Sequence, residues 1–109
     1  MDIHPLDDLL AEQGESDRPY LEFLRQSSMS AGLYVLPAGA IDGQLPHDED
    51  EVYVVLRGRG RFTALSETRD VRAGDTIFIP AGVEHRFHDI TDQLVIVVVF
   101  APPEHSSAG

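Results

Sequence analysis

The chain has 109 residues, a length typical of one domain, so we expect a single hydrophobic core. Apolar residues make up 42% of the composition and charged residues 25%, which excludes wholesale disorder. The formal net charge is −11, from 19 acidic and 8 basic side chains, and such a surface repels a phosphate backbone. We therefore expect no nucleic-acid partner.

The sequence lacks a membrane-spanning segment, a signal peptide and cysteine, each of which would place it in another class of protein. Its longest apolar run, Leu94 to Ala101, is too short to cross a bilayer as a helix. Its first residues lack the basic start and apolar stretch of a signal peptide. Without cysteine there is no disulfide framework, no thiolate metal site and no cysteine nucleophile. We expect a cytoplasmic protein with no membrane partner.

The first predicted element is a short helix from Pro5 to Gln13. Proline suits a first helical turn, leucines recur on one face, and Gly14 follows as a residue that ends helices. The polar stretch from Glu15 to Pro19 is typical of a linker. The sequence therefore predicts a helix and linker over residues 1–19.

Short strands separated by glycine and proline turns are predicted from there onward. Their predicted bounds are Tyr20 to Arg25, Met29 to Leu36, Val52 to Leu56, Arg61 to Leu65, Thr68 to Arg72, Thr76 to Ile79, His85 to His88, and Leu94 to Phe100. This spacing favours an antiparallel all-β sandwich or barrel over residues 20–103. The small, polar residues 104–109 are predicted to form a disordered tail.

Two of these strands, Val52 to Leu56 and Leu94 to Phe100, are apolar on both faces. A half-exposed antiparallel strand alternates apolar with polar residues, and a chain this small has little material to bury both faces. We expect a second copy to cover the outer face in a two-fold homodimer. The alternative is that the N-terminal helix or the first strands cover it.

The stretch from His47 to Glu51 carries the most unusual chemistry. Residues of the same parity share a face of a strand, so both of these side chains can point into a barrel. His85 begins another predicted strand, just after a Pro-Ala-Gly turn. Imidazole nitrogen and carboxylate oxygen suit divalent iron, manganese, nickel or zinc, and two histidines with one carboxylate leave coordination positions open.

Two motifs in the sequence resemble those of the cupin superfamily. The first runs from Gly39 through His47 and Glu51 to Gly58, and the second runs from Gly74 through Pro80 and Gly82 to His85, so together they cover about half of the chain. The resemblance implies a cupin jelly-roll β-barrel, of the RmlC-like, single-domain type, with a short N-terminal helix. It also implies that one divalent metal ion is held inside the barrel.

The cupin ligand set is matched at His47, Glu51 and His85, which correspond to the second histidine, the glutamate and the last histidine. The first histidine is replaced by Leu45, and the asparagine that often ends the second motif is replaced by Asp89. Either three protein ligands remain, with water in the vacant place, or another side chain substitutes.

The reserve candidates for that vacant place are Gln44 and Glu49. Gln44 is adjacent to Leu45 and reaches inward only if the strand bulges, whereas Glu49 has the inward parity of Glu51. A metal-free barrel, in which the two motif histidines hydrogen-bond Glu51, is the remaining alternative.

Four aromatic residues are interpreted as core or pocket wall: Tyr53, Phe62, Phe78 and Phe87. Tyr53 also shares the parity of Glu51, which places its hydroxyl near the predicted site.

The resemblance leaves several functions open, because one barrel carries many chemistries. The first hypothesis is a metal-dependent enzyme on a small organic substrate, either dioxygenase-like or isomerase- or decarboxylase-like. The second is a non-catalytic module that binds a small molecule or metal as a sensor or accessory protein. The third is a dimeric scaffold that has lost its site. No catalytic residue beyond the metal ligands is predicted.

Overall fold

A computed structural model of the chain describes residues 1–43 and 46–106. One helix precedes the strands: α1 spans Leu6–Glu15, with Pro5 at its N-cap. The strands are β1 Tyr20–Arg25, β2 Ser30–Leu36, β3 Asp50–Ala64, β4 Glu67–Arg72, β5 Thr76–Ile79 and β6 His85–Ala101. The prediction of a mostly-β chain with one short N-terminal helix is confirmed.

All neighbouring strands pair antiparallel, in the order β1-β2-β6-β3-β4. The short β5 pairs with the first part of β3, at residues 51–54, while β4 pairs with its last part, at residues 59–64. The two long strands β3 and β6 pair along most of their lengths and form the centre of the sheet. The strand β2 pairs with β6, and β4 and β5 pair with β3. Both predicted metal-binding strands are therefore in one sheet.

Each of the two long strands was predicted as two short ones, and that prediction was wrong. The pairing of β3 with β6 continues past the glycines but shifts register between Val55 and Arg61, as it does at β-bulges. Gly58 adopts φ 97°, and a Cβ there would lie 2.1 Å from the backbone oxygen of Gln93. Glycine thus bends the strand against its neighbour here instead of ending it.

The core has two parts, one inside the barrel and one under the helix. Tyr53, Phe62 and Phe87 pack edge-on or tilted inside the barrel, with ring centroids 4.6–5.8 Å apart. Under α1, Leu9 packs with residues of the outer face of β2 and β6: Leu33, Val35 and Val95. The alternative in which the N-terminal helix covers the second face of β6 therefore holds for this part of the strand.

The outer face of the paired strands β3 and β6 is less completely covered near the start of β3. Val52, Val54, Val97 and Val99 are half-buried on this face, and Phe78 of β5 is 59% exposed beside Val52. Phe78 is not part of the core, because alternation in β5 turns Ile77 and Ile79 inward and Phe78 outward, but it lines a cavity at this end of the sheet, as the pocket-wall interpretation predicted.

The chain is ordered beyond β6. Pro103 is buried, and the backbone of Glu104 accepts a hydrogen bond from Arg25 and donates one to Ser30. The predicted disordered tail therefore does not include Glu104, and residues 107–109 lie outside the described residues.

Among the described residues, no helix has the length and apolarity needed to cross a bilayer. The cytoplasmic location stays a prediction.

Candidate metal centre

The carboxylate of the candidate centre lies at the start of β3. Glu51 is 1% exposed, and its parity with Tyr53 and Val55 turns all three side chains into the barrel. Its neighbours across the sheet are Phe100 on β6 and Ile79 on β5. A carboxylate is thus fixed in an apolar interior, where its loss of hydration must be offset by an ion-pair partner, hydrogen-bond donors or a metal ion.

His85 faces this carboxylate from the first residue of β6 and pairs with it when its ring is protonated. Its Nδ1 lies 2.8 Å from the carbonyl oxygen of Val83, which only accepts, so Nδ1 carries a proton. Its Nε2 lies 2.8 Å from Glu51 Oε1 and 2.9 Å from the Tyr53 hydroxyl, as the parity of Tyr53 predicted. In the neutral ring, Nε2 therefore carries the lone pair that a metal ion takes.

His47 approaches the same point from the segment before β3. Its ring packs against Phe100, with centroids 4.8 Å apart, and lies 5.9 Å from the ring of His85. The backbone of Gly82 donates a 2.7 Å hydrogen bond to the His47 carbonyl, which ties this segment to the turn before His85. The two histidines thus approach one site from two parts of the chain.

His47, Glu51 and His85 each present a ligand atom, and these atoms lie within 4.8 Å of one another. Two ligands about 2.1 Å from one ion are at most about 4.2 Å apart, so small side-chain movements bring the group onto one ion. Neither oxygen of Glu51 has a hydrogen-bond partner among the described residues, although Oε1 lies beside His85. A buried carboxylate with open lone pairs beside two imidazoles fits a divalent transition metal.

Of the two reserve candidates, only Glu49 lies among the described residues. Glu49 is buried, but the three-residue group of the described chain does not include it. Gln44, like Leu45, lies outside the described residues. His88, also on β6, turns away from the centre and hydrogen-bonds Thr63 at 2.6 Å.

Two acidic residues near the site were not predicted from the sequence. Asp42 is buried and accepts hydrogen bonds from the Tyr34 hydroxyl at 2.6 Å and the Phe87 backbone at 2.9 Å. Glu104 Oε2 lies 3.6 Å from His47 Nδ1. Neither belongs to a periodic pattern, so the sequence offered no signal for their burial.

A cavity of about 560 Å³ opens beside His47. Its walls are mostly aromatic and apolar, and they include Tyr20, Tyr34, Leu36 and Phe100. The Tyr20 hydroxyl is buried without a hydrogen-bond partner among the described residues. Burial and the nearby charges of Glu104 and Glu22 raise the pKa of this hydroxyl, so it stays protonated and able to donate.

The metal affinity of the centre is expected to rise with pH. Burial lowers the pKa of His85, but its close contact with the Glu51 carboxylate, its hydrogen bond to Val83 and the charge of Asp42 outweigh burial and raise it above 6.5. A proton on Nε2 competes with the ion, so affinity should increase as pH passes through this raised pKa. Titration of Co²⁺ or Zn²⁺ between about pH 6 and pH 9 measures the trend.

The metal-free protein should show the opposite trend. A group whose pKa is raised by folding contributes stability below its unfolded pKa, and this contribution is lost as pH rises through the folded value. Thermal unfolding in chelator should thus show the His85 contribution near pH 6 and its loss toward pH 9. A metal affinity that is flat over this range would contradict the account.

The chain matches known proteins in sequence and in structure. Residues 32–101 match a family model described as a cupin domain. An uncharacterized protein of Streptomyces coelicolor is 50% identical over 99 residues, which cover 91% of this chain and 94% of that protein.

Two solved structures illustrate the structural likeness. A Cupin 2 conserved barrel domain protein from Salinispora arenicola has a TM-score of 0.73 at 21% identity, covering 92% of this chain and 87% of that one. The DMSP lyase DddQ from Ruegeria pomeroyi has a TM-score of 0.65 at 25% identity, covering 70% of this chain and 39% of that one.

Proposed function

The chain belongs to the cupin domain family, and from this premise we propose that it is a metal-dependent enzyme acting on a small organic molecule. The observation that carries the proposal is the buried Glu51 carboxylate, which faces His85 and His47 beside an apolar cavity. Two histidines and one carboxylate hold iron, manganese, nickel or zinc and leave positions open for substrate and for oxygen or water.

A bound divalent ion would supply Lewis acidity and, for a redox-active metal, a site for dioxygen chemistry. Glu51 acts as a ligand that offsets the charge of the ion, and it is not a general base. The two imidazoles hold their lone pairs toward the centre, His85 through its Nδ1 bond to Val83. The low polarity around Tyr53 and Phe100 excludes water and strengthens these charge interactions.

The cavity beside His47 is the proposed substrate pocket. Its aromatic and apolar walls, to which the Tyr20 ring contributes, suit a compact organic molecule. The described residues that line the cavity include the acidic Glu104 and no arginine or lysine. We therefore propose a neutral substrate, such as a diol, thiol or phenol, in either dioxygenase-type or isomerase- and lyase-type chemistry.

The proposal is tested with protein loaded separately with each of the four metals. Oxygen uptake and product formation are followed over a panel of small diols, thiols and phenols. Turnover that is lost in His85→Ala and kept in His88→Ala, a histidine of the same strand outside the group, would support an enzyme. Ligand binding without turnover under any metal would instead support a non-catalytic binding module.

A second copy of the chain is the proposed partner of the outer face of β3. Val52, Val54 and Val99 of this face and the exposed ring of Phe78 form one apolar strip outside the cluster under α1, whereas Val97 packs against that cluster. A strip of this kind on an otherwise acidic surface favours self-association over contact with water.

Light scattering tests the homodimer, with an expected mass of twice the 12.0 kDa chain. Phe78→Asp should shift the population toward monomer, because it places a charge in the interface. Leu65→Asp is the matched control, since Leu65 is also exposed but lies in the turn between β3 and β4. A wild-type monomer at micromolar concentration would contradict this proposal.

A further inference from the structure

Glu104 lies just past β6, and its backbone is held by the two strands on one side of β6. Its backbone N–H donates to the hydroxyl of the buried Ser30 at 2.9 Å, and its carbonyl accepts from the Arg25 guanidinium at 2.9 Å. Both partners belong to the paired strands β1 and β2. The backbone from which the Glu104 side chain projects is therefore held by the barrel itself.

The carboxylate of Glu104 lies beside the imidazole of His47. Its Oε2 lies 3.6 Å from Nδ1 of His47, and both side chains are largely buried, 16% and 15% exposed. A movement of about 0.7 Å would turn this contact into a charge-assisted hydrogen bond. The segment after β6 thus supplies an acceptor directly behind a candidate metal ligand.

The two histidines of the centre are held in a similar way. His85 has an oxygen acceptor at Nδ1, the Val83 carbonyl, and its Nε2 faces Glu51. His47 has the Glu104 carboxylate at Nδ1. An acceptor at one ring nitrogen fixes the proton there, orients the ring and leaves the other nitrogen for the ion.

We infer that Glu104 is a positioning residue of the metal centre, which holds the His47 Nδ1 proton so that Nε2 binds the ion. This inference rests on the proposed metal site. A carboxylate that accepts from the far nitrogen of a ligating imidazole orients the ring for the ion, and such partners of metal ligands typically contribute about 10- to 100-fold to metal affinity.

A second histidine contacts the same oxygen and provides the control. His105 Nε2 lies 3.8 Å from Glu104 Oε2, but the His105 side chain is 76% exposed, where such a pair contributes little. His105→Ala should therefore leave metal affinity unchanged. A role of Glu104 that depended on His105 would instead be lost in this variant.

The experiment measures the affinity of the full chain for Zn²⁺ and Co²⁺ by competition with a chelator, together with the visible spectrum of bound Co²⁺. Glu104→Ala should weaken binding by about 10- to 100-fold and alter the Co²⁺ spectrum. Glu104→Gln, which keeps an acceptor without the charge, should fall between wild type and Glu104→Ala. Since neither substitution removes the backbone bonds to Ser30 and Arg25, the fold should persist, and circular dichroism checks it.

Two results would overturn the inference while leaving the proposed function intact. One is wild-type affinity in Glu104→Ala. The other is an equal loss in Glu104→Ala and Glu104→Gln with an unchanged Co²⁺ spectrum, which would indicate a charge effect without positioning. If the wild-type protein binds neither metal, the proposed metal-dependent function fails, and the inference fails with it.

Discussion

Replacing Glu51 by glutamine is expected to abolish metal binding without destabilising the metal-free protein. The substitution removes the only anionic ligand of the three-residue group, so affinity should fall by more than about 100-fold. It also removes a buried charge whose two oxygens have no hydrogen-bond partner among the described residues. His85 can give up its proton and keep its bonds to Val83 and Tyr53.

Two measurements check this prediction. Chelator competition with Zn²⁺ or Co²⁺ gives the affinity, and thermal unfolding in excess chelator near pH 8 gives the stability of the metal-free form. Glu49→Gln is the control, because Glu49 is also a buried glutamate two residues away but lies outside the group. Wild-type affinity in Glu51→Gln would contradict the account of the centre.

The second large effect is expected from Asp42→Ala. Asp42 accepts the hydroxyl proton of Tyr34 and the backbone N–H of Phe87, both inside the barrel. Its removal leaves two buried donors without this acceptor, at about 1–3 kcal/mol each, so the free energy of unfolding should fall by about 3 kcal/mol. For a chain of this size that loss lowers Tm by about 15 °C.

Urea unfolding and thermal unfolding measure this loss. Asp42→Asn should be intermediate, because its amide can still accept from Tyr34 but turns a donor toward the Phe87 N–H. Asp92→Ala, which removes an exposed carboxylate on β6, should change stability by less than about 0.5 kcal/mol. Equal effects of Asp42→Ala and Asp92→Ala would contradict a structural role for Asp42.

The sequence predicted the architecture well because turn residues and strand periodicity are local signals. The prediction that Gly58 ends a strand was wrong, because Gly58 lies within β3. Glycine is required there because the backbone of Gln93 approaches too closely for a side chain, and this contact cannot be read from the local sequence. The outward side of Phe78 had one local signal, the polar Thr76 of the same parity, but Phe78 and its neighbours Ile77 and Ile79 are all apolar, so the short strand gave no clear alternation.

The three-residue group was predicted from motif spacing, and the structure brings its members together. Strand parity placed Glu51 and Tyr53 inside, whereas the meeting of His85 with Glu51 depends on the pairing of distant strands. Glu104 and Asp42 could not be found in this way. Each is an isolated acid in a segment without periodicity, and its partner is set by the path of the chain through space.

Elemental analysis of protein purified without added metal, compared between wild type and His47→Ala, tests the central claim most directly. The account predicts near-stoichiometric iron, manganese, nickel or zinc in the wild type and its loss in the variant, because one of the three ligands is removed. Equal, near-zero metal in both proteins, even after supplementation of the growth medium, would contradict a metal centre at His47, Glu51 and His85.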